Sequence, residues 1–146
     1  MTIQDILEQK DGRVITIQPQ STLFLALCTL VENKVGALLV QDDARQLLGI
    51  ITERDLMREV YKGTDLRGAA VEEVMTRKVV LASPMHDVET IMGQMTEGRF
   101  RHMPVVEEGE LIGIVSIGDL VKSRLQHAEA EVTQYKDFVT LDWRAS

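Results

Sequence analysis

Two short segments of this chain place an apolar strand, a hydroxyl side chain and an aspartate at the same spacing. Residues 49–55 read GIITERD, and residues 113–119 read GIVSIGD. A strand that turns into a helix at Thr52 or Ser116 places a hydroxyl and free backbone N–H groups at a helix N-terminus, which attracts phosphate. The carboxylates of Asp55 and Asp119, one turn further on, could accept hydrogen bonds from two vicinal hydroxyls, as on a ribose. Together these groups are typical of a nucleotide site.

The same spacing also has a purely structural interpretation. Thr52-x-x-Asp55 and Ser116-x-x-Asp119 are helix capping boxes, which stabilise a protein by about 0.5–2 kcal/mol each without any ligand. The two segments taken alone therefore leave both interpretations open.

Arg101 and His102 interrupt a strand that is otherwise apolar. An arginine can bind a phosphate through two parallel hydrogen bonds, and a neighbouring histidine can donate another. The alternative is an internal ion pair between Arg101 and a nearby acidic side chain. The corresponding positions of the earlier, similar segment are Gly36 and Ala37, which have neither capacity.

These segments belong to a tandem duplication. Residues 14–19 (VITIQP) recur as 79–84 (VVLASP), and residues 35–40 (VGALLV) recur as 100–105 (FRHMPV). Each half is at the lower limit of what can bury a core alone, so we expect the two halves to pack together as one unit.

Each repeat is predicted to contain a strand, a helix, two further strands and a second helix, which is an α+β arrangement. Apolar runs predict strands over residues 14–17, 35–40 and 47–52. The second repeat follows the same order, with residues 79–84 echoing 14–19 and strands predicted over 102–107 and 111–116. Apolar stripes predict helices through Leu23, Ala26, Leu27, Leu30 and Val31, through Val88, Ile91, Met92 and Met95, over residues 53–61 and from residue 117. Short helices at 3–7 and 71–75 open the repeats. The predicted domains are residues 1–67, 68–128 and a C-terminal part over 129–146.

Composition narrows the function. The chain has 146 residues, 45% of them hydrophobic and 27% charged, which fits one compact folded module. A formal charge of −7 argues against a nucleic-acid partner, and no apolar run is long enough for a membrane span or a signal core. The single cysteine, Cys28, predicts a buried thiol in a reducing compartment, so a cytoplasmic location is expected. The histidines are far apart and no metal-binding or nucleophile motif occurs, so we predict no enzyme and no required cofactor or metal.

The C-terminal part has no counterpart in the first repeat. An amphipathic pattern runs from Asp119 to about Lys136, and it predicts either a helix folded back on its own domain or a dimer contact. Phe138, Leu141 and Trp143 are costly to leave in water, so we expect this tail to dock on a neighbour or a partner.

We call residues 49–55 and 113–119 the first and second signatures. With both repeats, both signatures and the run RHMPVV at 101–106, the chain resembles a tandem pair of CBS domains, the cystathionine β-synthase type also called a Bateman module. The likeness covers roughly residues 1–125. The resemblance implies two β-α-β-β-α repeats related by pseudo-twofold symmetry, with two clefts between them that bind adenosine-containing ligands. AMP, ADP, ATP, NAD(H) and S-adenosylmethionine are the ligands implied, and family members often form disc-like homodimers.

Position by position, the resemblance implies a ribose on Asp55, a base near Val80 and phosphates on Arg101 and His102. The residues it places in the first cleft are Thr52, Arg54, Asp55, Val80, Arg101, His102 and Pro104. Those it places in the second cleft are Ile15, Val35, Gly36, Ala37, Ser116 and Asp119. Since the second cleft lacks an Arg-His pair, we expect a monophosphate, half of a dinucleotide or no ligand there.

The function expected from the sequence is a stand-alone regulatory module that binds an adenine nucleotide and signals to a partner protein by a conformational change. The alternative is a ligand-free module for dimerisation and partner recruitment. A third hypothesis is a slow nucleotide hydrolase, which requires ATP turnover that depends on Arg101.

Overall fold

The computed structural model describes residues 1–10 and 12–131 of the chain. Its elements, in chain order, are α1 (Ile3–Gln9), β1 (Thr16–Ile17), α2 (Leu23–Asn33), β2 (Ala37–Gln41), β3 (Leu47–Thr52), α3 (Glu53–Lys62), a 3-10 turn (Val71–Glu73), α4 (Val88–Gly98), β4 (His102–Glu107), β5 (Glu110–Ser116) and α5 (Ile117–Glu131). The predicted α+β class and the two repeats are both observed.

The first repeat forms a three-stranded sheet in the order β1-β2-β3. Strand β2 pairs in parallel with β1 and antiparallel with β3, with Ala37 opposite Thr52. Helix α2 covers this sheet with Leu23, Ala26 and Leu30, all buried. The predicted stripe was wrong at Val31, which is 67% exposed because the α2 face that packs on the sheet ends at Leu30.

The second repeat forms a two-stranded sheet of β4 and β5. In residues 79–84, the segment that echoes 14–19, only Ala82 pairs, through a parallel bridge to Val105. Val80 and Leu81 on one side of Ala82 are 45% and 44% exposed, so burial does not hold them against the sheet. Pro84 on the other side has no N–H to donate to a ladder.

The segments that open the repeats are exchanged between the two hydrophobic cores. Ile3 and Ile6 of α1 lie in the core of the second repeat. Val71 and Met75 lie in the core of the first repeat. A third cluster joins the two sheets and combines Ala37, Leu39 and Ile50 with Val79, Leu111 and Ile114. The predicted domain boundary between residues 67 and 68 stays a prediction. It separates the two sequence repeats, whereas each hydrophobic core contains residues from both sides of it.

The glycine that begins each signature makes room for an exchanged segment. A Cβ added to Gly49 would lie 2.6 Å from the carbonyl oxygen of Thr76. A Cβ added to Gly113 would lie 2.7 Å from the Cδ2 atom of Leu7. Both distances are shorter than packed atoms tolerate, so a Cβ at Gly49 would meet fixed backbone, whereas a Cβ at Gly113 would require the Leu7 side chain to move.

Among the described helices, none is long and apolar enough to cross a membrane. The thiol of Cys28 is free and half-buried rather than fully buried as predicted, because it lies at the edge of the face with which α2 covers its sheet. The predicted continuation of α5 to Lys136, and the tail with Phe138, Leu141 and Trp143, lie outside the described residues.

We expect Gly49→Ala to destabilise the chain by about 1–3 kcal/mol, and Gly113→Ala to cost less. The neighbour of Gly49 is a backbone carbonyl that the N–H of Ile50 holds at 3.0 Å, whereas the neighbour of Gly113 is the end of a leucine that can change rotamer. Urea unfolding of both variants at 25 °C measures the difference. A loss at Gly113 equal to or larger than that at Gly49 would contradict this account.

Candidate functional site

A cleft of about 620 Å³ opens between the two repeats. One wall is the end of β3 with the first two turns of α3, the opposite wall is residues 98–102, and residues 76–80 lie between them. The side chains and backbone that line it belong to Ile50, Thr52, Glu53, Arg54, Asp55, Met57, Arg58, Thr76, Lys78, Val79, Val80, Gly98, Arg99, Phe100, Arg101 and His102. Its volume lies within the range of about 300–1,000 Å³ that is usual for small-molecule sites.

The Asp55 carboxylate is buried at the N-terminus of α3, where one of its oxygens forms a capping box. Oδ2 accepts hydrogen bonds from the backbone N–H of Thr52 at 2.9 Å and from its hydroxyl at 3.1 Å. The N–H of Asp55 donates in return to Thr52 Oγ1 at 3.2 Å. Among the described residues, Oδ1 has one contact, from Arg58 at 3.4 Å. The structural and the ligand-binding interpretations are thus compatible, because they use different oxygens.

The N–H groups at the start of α3 are less available than the sequence analysis expected. The N–H of Glu53 donates to the Gly36 carbonyl at 3.0 Å, and that of Asp55 is held by Thr52. At the start of α5, the N–H of Ile117 likewise donates to the Arg101 carbonyl at 2.8 Å. The expectation of free amides for a phosphate was therefore wrong at these positions, since the capping box and the neighbouring strand already satisfy them.

Basic side chains supply the positive charge of the cleft instead. Arg54, Arg58, Lys78, Arg99 and Arg101 all line it, against the two carboxylates of Glu53 and Asp55. This excess of positive charge occurs in a chain whose formal charge is −7. A locally basic cleft on an acidic protein attracts anions.

Most of these basic side chains are unengaged by their surroundings. Within residues 1–10 and 12–131, no hydrogen bond or ion pair involves the side chains of Arg54, Lys78, Arg99 or Arg101. The internal ion pair considered for Arg101 is thus absent from the part of the chain that the structure describes. Arg54 and Arg101 were predicted from the sequence, whereas Arg58, Lys78 and Arg99 were not, since their only sequence signal is their closeness to the predicted motifs.

The imidazole of His102 lies between the two predicted clefts. It lines the first cleft, yet its Nε2 atom is 3.3 Å from the position that a Cβ on Gly36 would take. Burial lowers the pKa of His102 below 6.5, although the carboxylates of Glu53 and Asp119 act in the opposite direction. At neutral pH the ring is therefore uncharged, with one nitrogen donating and the other accepting.

The structure brings together six of the seven residues predicted for the first cleft. Val80 lines it with its exposed side chain. Pro104 does not line it, because it is buried in β4 opposite Ile114 and its carbonyl accepts a hydrogen bond from Ala82 at 2.9 Å. The binding roles of these residues stay predictions.

The second signature forms the same capping box with a different neighbour. The N–H of Ser116 donates to Asp119 Oδ2 at 2.8 Å, and the N–H of Asp119 donates to Ser116 Oγ at 3.1 Å. In addition, Lys10 Nζ lies 2.7 Å from Asp119 Oδ2 and 2.8 Å from the Ile114 carbonyl oxygen. Sequence analysis missed Lys10, which is 109 positions away from Asp119.

The other residues predicted for the second cleft are dispersed. Ile15 and Val35 pack partly buried against the core of the first repeat, and Ala37 is buried where the sheets meet. Gly36 faces His102. Asp119 lines a cavity of about 180 Å³ between α1 and α5, and it is the only one of the six predicted residues to do so.

Burial and hydrogen bonding act in opposite directions on Asp119. Burial raises the pKa of this carboxyl, whereas hydrogen bonds from Lys10 and Ser116 and the charge of Lys10 lower it. The lowering prevails, and the pKa falls below its ordinary value of 3.8. The Lys10 ammonium and the Asp119 carboxylate therefore form an ion pair at neutral pH.

Comparison with known proteins identifies the family. The model of the CBS domain matches this chain twice, over residues 2–62 and 71–125. Those two matches cover most of the chain and coincide with the two repeats. The chain belongs to the CBS domain family and carries a tandem pair of these domains.

Individual relatives agree with this assignment. The mitochondrial CBS domain-containing protein CBSX3 of Arabidopsis thaliana is 32% identical over 94% of this chain and 71% of its own length. The crystal structure of the CBS-domain protein ATU1752 from Agrobacterium tumefaciens is 40% identical, with a TM-score of 0.81 over 84% of this chain and 92% of that one. Several other curated relatives are longer, and the chain spans between 22% and 41% of their length. Because one relative is mitochondrial, the cytoplasmic location stays a prediction.

One related structure was solved with ligands. The CBS domain pair of protein MJ0100, in complex with 5′-methylthioadenosine and S-adenosylmethionine, is 25% identical. Its TM-score is 0.75 over 88% of this chain and 98% of that one.

We expect Asp119→Asn to lower the free energy of unfolding at neutral pH by up to about 1 kcal/mol, since the variant keeps a capping oxygen but loses the ion pair with Lys10. A carboxyl whose pKa is lowered by folding stabilises the protein above its unfolded-state pKa and loses that effect as the pH falls through its folded-state pKa. The difference from wild type should therefore narrow as the pH falls below 3.8. Urea titrations across this range measure it. A difference in the free energy of unfolding that persists in acid would contradict the stabilising ion pair between Lys10 and Asp119. So would an equal difference in the exposed control variant Glu97→Gln.

Proposed function

We propose that this chain is a regulatory module that binds one class of ligand, adenosine nucleotides that carry phosphate, in the cleft between its two repeats. The proposal is carried by one observation: a cleft of about 620 Å³ holds a buried carboxylate, whose Oδ1 contacts only Arg58 among the described residues, together with the unpaired basic side chains of Arg54, Lys78, Arg99 and Arg101. A ribose diol and a phosphate are the complementary groups, and a nucleotide carries both at a fixed separation.

The ribose part of the proposal rests on Asp55 Oδ1. Its partner oxygen is committed to the cap on Thr52, so Oδ1 is the acceptor that remains for hydroxyl donors. The MJ0100 structure holds two ligands that share an adenosine and carry no phosphate. Adenosine is thus the component that we transfer to this chain, with the exposed Val80 beside the base.

The phosphate part of the proposal rests on charge. Five basic side chains face two carboxylates, so the cleft favours anions. S-adenosylmethionine carries a sulfonium cation, which this arrangement disfavours. AMP, ADP, ATP and NAD(H) carry the charge that Lys78, Arg99 and Arg101 can neutralise, and charge-assisted hydrogen bonds of this kind contribute about 1.5–3 kcal/mol each.

The regulatory part of the proposal follows from where the cleft lies. Thr52 and Asp55 belong to the first repeat, whereas Arg99 and Arg101 belong to the second. A nucleotide that contacts both sides favours one relative position of the two repeats, by no more than its difference in affinity for the alternatives. A partner protein that contacts both repeats would sense this shift. The proposal contains binding and no chemical step, and ATP turnover that survives purification and disappears in Arg101→Ala would overturn it.

We expect wild type to bind ATP and AMP more tightly than S-adenosylmethionine or methylthioadenosine, and Asp55→Asn to weaken ATP binding about tenfold or more. An asparagine keeps the oxygen that caps Thr52 but places an NH₂ group where Oδ1 accepts. Losing a charge-assisted hydrogen bond of about 1.5–3 kcal/mol corresponds to a factor of about ten or more. Isothermal titration calorimetry measures the affinities, and circular dichroism verifies that the variant is folded.

The adjacent basic residues Arg77 and Lys78 provide a matched pair of variants for this experiment. Lys78 lines the cleft, whereas Arg77 bonds to the Glu72 carbonyl at 3.0 Å and does not line it. Lys78→Ala should weaken ATP about tenfold and change methylthioadenosine little, whereas Arg77→Ala should change neither by more than about twofold. If none of the four compounds gives a binding signal in the calorimeter, the proposal is wrong. Tighter binding of S-adenosylmethionine than of ATP would overturn its phosphate part alone.

A second candidate function is an assembly module that pairs with another copy and recruits a partner without a ligand. It is favoured by apolar side chains on α3 that face water, since Met57 is 69%, Val60 60% and Tyr61 91% exposed. Exposed large apolar side chains are typical of protein interfaces, although Met57 also lines the cleft of the first candidate function. Light scattering that shows a dimer, together with melting curves that no nucleotide shifts, would favour this candidate over the first.

A further inference from the structure

Each repeat has a lysine and an aspartate at equivalent positions, but only one of these two lysines is paired with its aspartate. Residues 3–10 (IQDILEQK) align with residues 71–78 (VEEVMTRK), so Lys10 and Lys78 are counterparts, as are Asp119 and Asp55. Lys10 Nζ lies 2.7 Å from Asp119 Oδ2. Lys78 lines the first cleft and, among the described residues, forms no ion pair with Asp55.

The backbone explains this difference. Helix α1 extends to Gln9 and therefore delivers Lys10 directly after its last turn, where the amine also donates to the Ile114 carbonyl at 2.8 Å. The counterpart of α1 is a 3-10 turn that ends at Glu73, after which the N–H of Thr76 donates to the Ile50 carbonyl at 2.9 Å. Ile50 is the counterpart of Ile114. The acceptor that would hold Lys78 is thus already occupied by backbone, and Lys78 is left to face the cleft.

We propose that Lys10 acts as an internal ligand of the second signature, so that this chain binds a single nucleotide, in the first cleft only. The inference rests on the function proposed above. Lys10 neutralises Asp119 and takes up the Ile114 carbonyl, both of which a nucleotide in that cleft would have to approach. The pair is about three-quarters shielded from water, with side-chain exposures of 26% and 27%, so solvent screens it less than a surface pair.

Space and charge support the same assignment. The cavity of about 180 Å³ that Asp119 lines lies between α1 and α5 and contains no other residue predicted for the second cleft, whereas six of the residues predicted for the first cleft share a cavity of about 620 Å³. At the positions equivalent to Arg101 and His102 the first repeat has Gly36 and Ala37, which offer a phosphate no side-chain donor. The second cleft therefore has fewer side-chain donors for a phosphate than the first, and the charge of its aspartate is neutralised by a lysine on the capping oxygen Oδ2.

Titration calorimetry with ATP, and separately with AMP, tests this inference through the number of sites. Wild type should bind one nucleotide per chain, and Lys10→Ala should bind a second AMP, more weakly because the second cleft lacks an Arg-His pair, with the first dissociation constant changed by no more than about twofold. The matched variant Lys78→Ala, at the counterpart position, should keep one site and bind it more weakly. If Lys10→Ala loses its folded circular dichroism spectrum, Lys10→Met, which keeps the aliphatic stem without the charge, takes its place with the same expected result.

The outcomes separate this inference from the proposed function. Two sites in wild type, or one site in both wild type and the Lys10 variant, would overturn the role of Lys10 and leave nucleotide binding intact. A single wild-type site that Asp119→Asn removes and Asp55→Asn keeps would also overturn it. No site in wild type and one in Lys10→Ala would support the role of Lys10 and contradict binding in the first cleft. No site in either protein would overturn both.

Discussion

The exchange of opening segments between the two repeats is the constraint on which the rest of this structure depends. Helix α1 completes the core of the second repeat, and the segment around Val71 and Met75 completes that of the first. Neither repeat therefore buries its own core without the other. The exchange also requires Gly49 to lack a Cβ, because the backbone of the exchanged segment lies 2.6 Å from where that atom would be.

The same exchange makes two similar signatures chemically different. Both aspartates cap a helix with Oδ2, so both retain a stabilising role that needs no ligand. One exchanged segment ends in a helix and brings its lysine onto Asp119, whereas the other ends in a backbone bridge and leaves its lysine facing the open cleft. In the proposed account, a difference of a few residues in helix length decides which signature is available to a ligand. In the proposed function, this asymmetry confines the signal to one cleft whose walls come from both repeats.

Much of the fold could be predicted from the sequence, because apolar periodicity and the internal repeat are local signals. Strands β3 and β4 have the predicted bounds, and the capping boxes at Thr52 and Ser116 are present. The pairing of Lys10 with Asp119 could not be predicted, since it joins residues 109 positions apart and depends on the length of α1. Free amides at the helix starts were expected wrongly for a related reason: the strand of the neighbouring Gly36 satisfies one of them, and only the tertiary structure shows it.

The central claim is that a single nucleotide is held between the repeats at the first signature. An NMR titration of ¹⁵N-labelled protein with ATP tests this claim most directly. The account predicts that backbone signals of Thr52, Asp55 and residues 98–102 shift and reach saturation together. Signals of Lys10, Ser116 and Asp119 should stay in place. Saturable shifts at those three residues, or no saturable shift on either wall of the first cleft, would contradict it.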